Sequence, residues 1–106
     1  MKIIERTYIT VVPGKMDEMQ RLIDRQFVIC KGMPQPQSFR AYRSLSSVDN
    51  FNTVVLEFDW DNFGDIGVLL EKQKKSKEYQ ELLNEVITLC STSIHEFYTP
   101  ESWGII

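Results

Sequence analysis

Arg6, Tyr8, Trp60 and His95 are the side chains in this 106-residue sequence whose types and positions suit small-molecule chemistry. His95 is the only histidine. An imidazole titrates near neutral pH, so His95 is a candidate general base. It falls in a strand-like stretch with Phe97 on the same face and Glu96 on the other. A lone histidine in such a place is more often an edge or interface residue holding one hydrogen bond. Arg6 and Tyr8 share one face of the first strand. A guanidinium and a phenol aimed into a half-buried pocket would hold a carboxylate, a carbonyl or a phenolate. The simpler alternative is that Arg6 pairs with Glu57 or Glu96 within the sheet. Trp60, beside Asn62 at a strand-to-helix junction, would either cap a ligand pocket or close the core as a lid. Arg40 and Tyr42 share a face of the second strand, and Arg43 lies opposite. Arg6, Tyr8, Trp60 and His95 are thus the candidate ligand-binding residues, and His95, Arg6 and Tyr8 the candidates for catalysis.

Other chemistries find no support in the residues. One histidine and two cysteines, Cys30 and Cys90, sixty residues apart, do not supply three or four converging metal ligands. The two cysteines read as free thiols at apolar helical positions rather than a disulfide framework. There is no nucleophile elbow, phosphate-cradling glycine loop or dinucleotide fingerprint. No cofactor is expected. With 12 basic and 15 acidic residues the formal charge is −3, without the basic footprint of a nucleic-acid binder. The basic run Lys72 to Lys77 is flanked by Glu71, Glu78 and Glu81 and reads as a solvated helix face. Asn52 to Phe58 lacks the glycine-containing aromatic motif of RNA-recognition modules. No apolar run approaches the roughly 20 residues of a membrane span, and no signal peptide is evident before the first charges. A cytoplasmic protein is expected.

The elements that position these side chains follow from periodicity. Ile3 to Val12 is dense in β-branched and aromatic residues and reads as a strand; Pro13-Gly14 ends it. Apolar spacing then changes from about two to about three and a half, and Met16, Met19, Leu22, Ile23, Phe27 and Cys30 mark a helix over 15–31. Gly32 occupies the place of a C-terminal glycine cap, with Pro34 beyond it. Strands follow at about 38–45 and 51–60, joined by the polar stretch Ser46 to Asn50. In the third strand Val54, Leu56 and Phe58 face the helices, and Val55, Glu57 and Asp59 the other side. Asp61-Asn62 offers capping groups for a helix that breaks near Ser76, where a second helical stripe of Tyr79, Leu82, Leu83, Val86, Ile87 and Cys90 begins. A fourth strand spans about 92–99 before Pro100.

The order β-α-β-β-α-β, with the second helix in two pieces, predicts one ferredoxin-like α+β domain over 1–106. Its four-stranded antiparallel sheet carries helices on one face only. On strand one the helix-facing set is either Glu5-Thr7-Ile9-Val11 or Ile4-Arg6-Tyr8-Thr10-Val12, and neither is wholly polar. A water-washed face alternates cleanly, so this ambivalence points to a half-apolar open face. Together with the tail residues Trp103, Ile105 and Ile106 it predicts a two-fold homodimer.

Arg6-Thr7-Tyr8, followed four residues later by Pro13-Gly14-Lys15 with Met16 and Glu18, resembles the opening of NIPSNAP-like proteins. The resemblance covers about the first 15 to 20 residues. It implies the dimeric α+β barrel superfamily, in which two ferredoxin-like sheets pack face to face. That superfamily holds cofactor-independent oxygenases, haem-degrading enzymes, lactone isomerases and dehydratases, besides members without known activity. Haem-degrading members carry a histidine ligand on the second helix, and Phe63 to Cys90 contains none. Two functions remain in view. One is a non-catalytic dimerisation or stress-associated module. The other is a protein that binds a small aromatic or lactone-like compound, acting on it as a cofactor-independent monooxygenase or isomerase.

Overall fold

The computed structural model describes residues 2–45 and 52–101. The polar link 46–50, Phe51 and the tail with Trp103, Ile105 and Ile106 lie outside the described residues. The elements are β1 (Ile3–Val11), α1 (Met16–Ile29), β2 (Ser38–Arg43), β3 (Thr53–Trp60), α2 (Phe63–Lys75), α3 (Lys77–Leu89) and β4 (Cys90–Tyr98).

Local chemistry sets the boundaries. After β1, Pro13 and Gly14 occupy the two central positions of a turn closed by Lys15 N–H donating to the Val12 carbonyl at 3.1 Å. Gly14 has φ +83°, the left-handed conformation that such a turn reserves for glycine. Asp17 and Glu18 in the first turn of α1 oppose the positive end of its dipole. The helix ends without a left-handed glycine: Gly14 alone has positive φ among the described residues. Instead the Cys30 and Lys31 amides donate to the Gln26 and Val28 carbonyls. The expected glycine cap at Gly32 is therefore not used. The two caps expected further on are. Asn62 Oδ1 accepts from the Asp65 amide at 2.9 Å, and Ser76 Oγ accepts from the Tyr79 amide at 3.1 Å. Ser76 divides α2 from α3, and Lys72, Lys74 and Lys75 sit where the α2 dipole favours positive charge.

The sheet order is β2-β3-β1-β4, with every neighbouring pair antiparallel. This is the ferredoxin-like arrangement. The strand-one ambiguity resolves to Ile3, Glu5, Thr7, Ile9 and Val11 on the helix side, opposite Trp60, Phe58, Leu56 and Val54 of β3. Ile4, Arg6, Tyr8 and Thr10 look out from the open face. Cys90 opens β4 rather than closing the α3 stripe.

Two apolar clusters fix the helices to the sheet. Ile9, Val11, Met19, Ile23, Leu56 and Leu89 pack under α1 and α3. Ile3, Trp60 and Ile66 pack under α2, backed by Phe58 and Leu69. Burying each large side chain contributes about 1.5–3 kcal/mol. The α3 stripe is narrower than its sequence suggests: Leu82 and Leu89 are buried, but Leu83 and Ile87 are exposed.

Candidate functional site

Glu5 lies on the helix side of β1, in a row otherwise made of Ile3, Thr7, Ile9 and Val11. Its carboxylate is held at both oxygens. Trp60 donates its indole N–H to Oε1 at 2.8 Å, and His95 Nε2 lies 2.6 Å from Oε2. Both partners are placed by register. Ile3 pairs with Trp60, and Glu5 with Phe97, two residues beyond His95 on the same face of β4. The hydrogen bond to Glu5 uses Nε2 of the ring. Nδ1 has no hydrogen-bond partner among the described residues. The His95 ring lies 4.8 Å from the Phe97 ring, which meets Phe63 edge-on at 5.6 Å.

Glu5 and Trp60 also form part of the floor of a cleft between sheet and helices. Phe27 of α1, Cys30 just beyond its end, the 34–36 loop and Leu70 and Gln73 of α2 form its walls. The cavity at its base has a volume of about 70 Å³. Gln73 is buried and its side-chain amide donates to Cys30 Sγ at 3.6 Å. Burial pushes the Cys30 thiol up, with Gln73 opposing. Burial likewise raises the Tyr79 phenol, helped by the nearby Cys30 and Glu5.

The open face is organised differently. Glu57, only 4% exposed, accepts from Arg6 Nε and Arg40 Nε, each at 2.7 Å. Asp59 accepts from Ser38 Oγ at 2.6 Å and Arg40 at 3.1 Å, with Lys2 at 3.7 Å. The Arg6 hydrogen bond holds the Glu57 carboxyl below its ordinary range, against the opposing effect of burial, and Ser38 does the same for Asp59. Beside them the Tyr98 hydroxyl donates to Glu96 and lies 3.4 Å from the Tyr8 hydroxyl; the Glu96 bond pushes the Tyr98 phenol up. The Arg6 guanidinium stands 5.1 Å above the Tyr98 ring. Buried Glu57 and Asp59 thus occupy the middle of this face, on the side where the alternation of β3 placed them, and Arg6 and Arg40 bond to them from the neighbouring strands.

The four residues named from sequence therefore do not converge. Trp60 and His95 lie on the helix side and meet through Glu5; Arg6 and Tyr8 lie on the open face, with the sheet between. Arg6 takes the ion pair with Glu57. Glu5 is the residue that sequence reasoning missed, and its signal was one acidic side chain in an otherwise apolar row. Among the described residues no group of three His, Cys, Asp or Glu is placed to hold a metal ion, and no helix is long and apolar enough to cross a membrane.

Strand order, one-sided helices and the split second helix make a ferredoxin-like α+β fold. No protein-family model matches the chain, and no curated protein matches it. Solved structures do. A NIPSNAP domain protein from Burkholderia xenovorans superposes with TM-score 0.77 at 14% identity, over 98% of this chain and 99% of that one. A NIPSNAP family protein from Agrobacterium tumefaciens gives 0.76 at 13%, over 97% and 89%. SnoaB, a cofactor-independent oxygenase from Streptomyces nogalater, gives 0.73 at 16%, over 96% and 95%. The chain has the NIPSNAP-like fold that these proteins share.

Proposed function

We propose that this chain is a NIPSNAP-like protein that works as a homodimer and binds a small, flat, partly aromatic or lactone-like compound at the helix-side cleft. The observation that carries this reading is the Glu5 carboxylate, fixed by Trp60 and His95 at the edge of an apolar cleft. Ligand sites have this character: apolar walls and a few placed polar groups. Trp60 supplies an aromatic surface. His95 does not line the cleft; it stands beside it, hydrogen-bonded through Nε2 to Glu5 Oε2, so in this reading Glu5 is the polar group that meets the ligand and His95 orients it. The likeness to SnoaB supports chemistry without a cofactor as the reactive form of this reading. The inner space is small beside the ~300 Å³ or more of sites for drug-sized ligands, so the compound is about the size of one ring unless the exposed walls at Phe27 and Leu70 move apart.

A second reading is a non-catalytic dimerisation module of the cytoplasm. It is favoured by that small volume and by Arg6 being engaged with Glu57. A thermal-shift screen of phenols, small aromatic acids and lactones separates the two. A compound that raises Tm and loses its effect in both Glu5→Gln and His95→Gln supports the first. A flat response across the screen, with a stable dimer, leaves the second.

A further inference from the structure

We infer that the helix-side cleft selects a cation: its ligand is a single-ring arylalkylamine, bound with its ammonium group against Glu5. This rests on the ligand-binding reading above and adds to it the charge and the hydrogen-bonding sense of the compound. Glu5 is the one lining side chain that carries a full charge, and no Lys or Arg lines the cleft among the described residues. The lysines in the last turn of α2, Lys72, Lys74 and Lys75, are exposed and form no part of it. The Glu5 oxygens hold the Trp60 indole and the His95 ring, one each, and a carboxylate oxygen keeps a second lone pair. A ligand N–H can therefore join without displacing either partner.

The donors around the cleft are already engaged. The Trp60 N–H goes to Glu5. The Gln35 side-chain amide donates to the Cys30 and Met33 carbonyls at 2.7 and 3.0 Å, and the Gln73 amide donates to Cys30 Sγ. Pro34 and Pro36, two of the three residues of the loop wall, have no backbone N–H. Acceptors remain. Gln73 is 7% exposed, yet its Oε1 accepts no hydrogen bond among the described residues, and neither does Gln35 Oε1. Gln26 alone keeps an uncommitted amide. The end of α1 adds to the negative field. Gln26 and Phe27 of its last turn line the cleft, and no basic side chain in that turn offsets the negative end of the dipole. Charge, lone pairs and dipole together favour a positive donor and repel a carboxylate. Phe27, Phe58 and Trp60 supply aromatic faces to a ring and a cation alike. A cavity of about 70 Å³ suits an ammonium head better than a ring, which then lies at the exposed walls of Phe27 and Leu70.

Benzylamine, benzyl alcohol and benzoate share one ring and carry a cationic, a neutral and an anionic head. Each is titrated near neutral pH into isotope-labelled protein. Binding is read by NMR from the indole N–H signal of Trp60, told apart from that of Trp103 by a Trp103→Phe variant. We expect benzylamine to bind about tenfold more tightly than benzoate, with benzyl alcohol between them and a smaller gap at high salt. Glu5→Gln removes the charge and keeps an acceptor for the indole; in it the amine weakens about tenfold and the alcohol changes little. Leu70→Lys leaves Glu5 and its partners untouched and adds a cation to an exposed wall, so the preference for amine over acid shrinks. Benzoate that moves the Trp60 signal with the affinity of benzylamine overturns the charge selection and leaves the cleft as a ligand site. An amine affinity that is unchanged in Glu5→Gln does the same. A Trp60 signal that none of the three compounds moves at high millimolar concentration overturns the inference outright. If phenols and lactones leave it unmoved as well, the ligand-binding reading falls with it.

Discussion

The Trp60 indole donates to Glu5 Oε1 at 2.8 Å between residues 55 apart in sequence, and this one bond ties the β3–α2 junction to the middle of β1. Trp60 is almost wholly buried, so its N–H has no access to bulk water if the bond is lost. Replacing Trp60 by Phe removes the donor, leaves a carboxylate oxygen short of a partner and opens space for the missing ring. Together these cost about 2–4 kcal/mol. Glu5→Gln costs less, because its amide still accepts from Trp60 and offers an N–H to His95. Chemical denaturation of both variants checks this, and equal losses would contradict the role given to the indole.

Acid sensitivity should come from the open face. Glu57 and Asp59 have folded-state pKa values held below their ordinary 4.5 and 3.8. The unfolded chain therefore binds protons more readily than the folded one in this range. The stabilisation is fully present above about pH 5 and drains away as pH falls through the depressed folded values. Denaturation midpoints from pH 6 to pH 2.5 should show this loss, and the slope should be shallower in Arg6→Ala, which lacks the guanidinium that lowers the Glu57 value most.

The same Arg6→Ala variant separates the two sides of the sheet. Arg6 is partly exposed and Glu57 keeps Arg40, so the stability loss is modest, about 1 kcal/mol. Affinity for a ligand in the helix-side cleft should be unchanged, because the sheet lies between. A ligand found by the screen that binds Arg6→Ala tenfold more weakly would place its site on the open face instead.

Neighbouring apolar residues of α3 should behave very differently. Leu82 is 1% exposed and Ile87 62% exposed, although both belong to one helical stripe. Leu82→Ala should cost about 2–5 kcal/mol, and Ile87→Ala within about 0.5 kcal/mol of nothing. Urea midpoints of the two variants decide.

The thiols offer a check on packing. Burial raises both the Cys30 and Cys90 pKa values, which lowers the thiolate fraction near neutral pH. Reaction with a disulfide reagent at pH 8 should be slow in the native protein, fast after denaturation, and slower at Cys30, which is also the more buried.

Much of this molecule was legible along the chain because the relevant forces are local. Asn62 and Ser76 are readable as caps because a side-chain oxygen serves an amide three residues away. The outward row Val55, Glu57, Asp59 of β3 is readable because strict alternation leaves one coherent apolar set, Val54, Leu56 and Phe58. The order of elements follows from the same periodicities. Tertiary structure alone decided the rest, because it depends on which strands are neighbours and in what register. On β1, one row mixes Glu5 with Ile9 and the other Arg6 with Ile4, so burial could be assigned only once the helices were seated. That assignment set Trp60 and His95 around Glu5 and sent Arg6 and Tyr8 to the opposite face. It also aligned Glu96, Arg6, Glu57 and Arg40, four charges scattered over ninety residues, into one row. No spacing within a single segment encodes that row; it exists because hydrogen bonding between strands brings distant positions level.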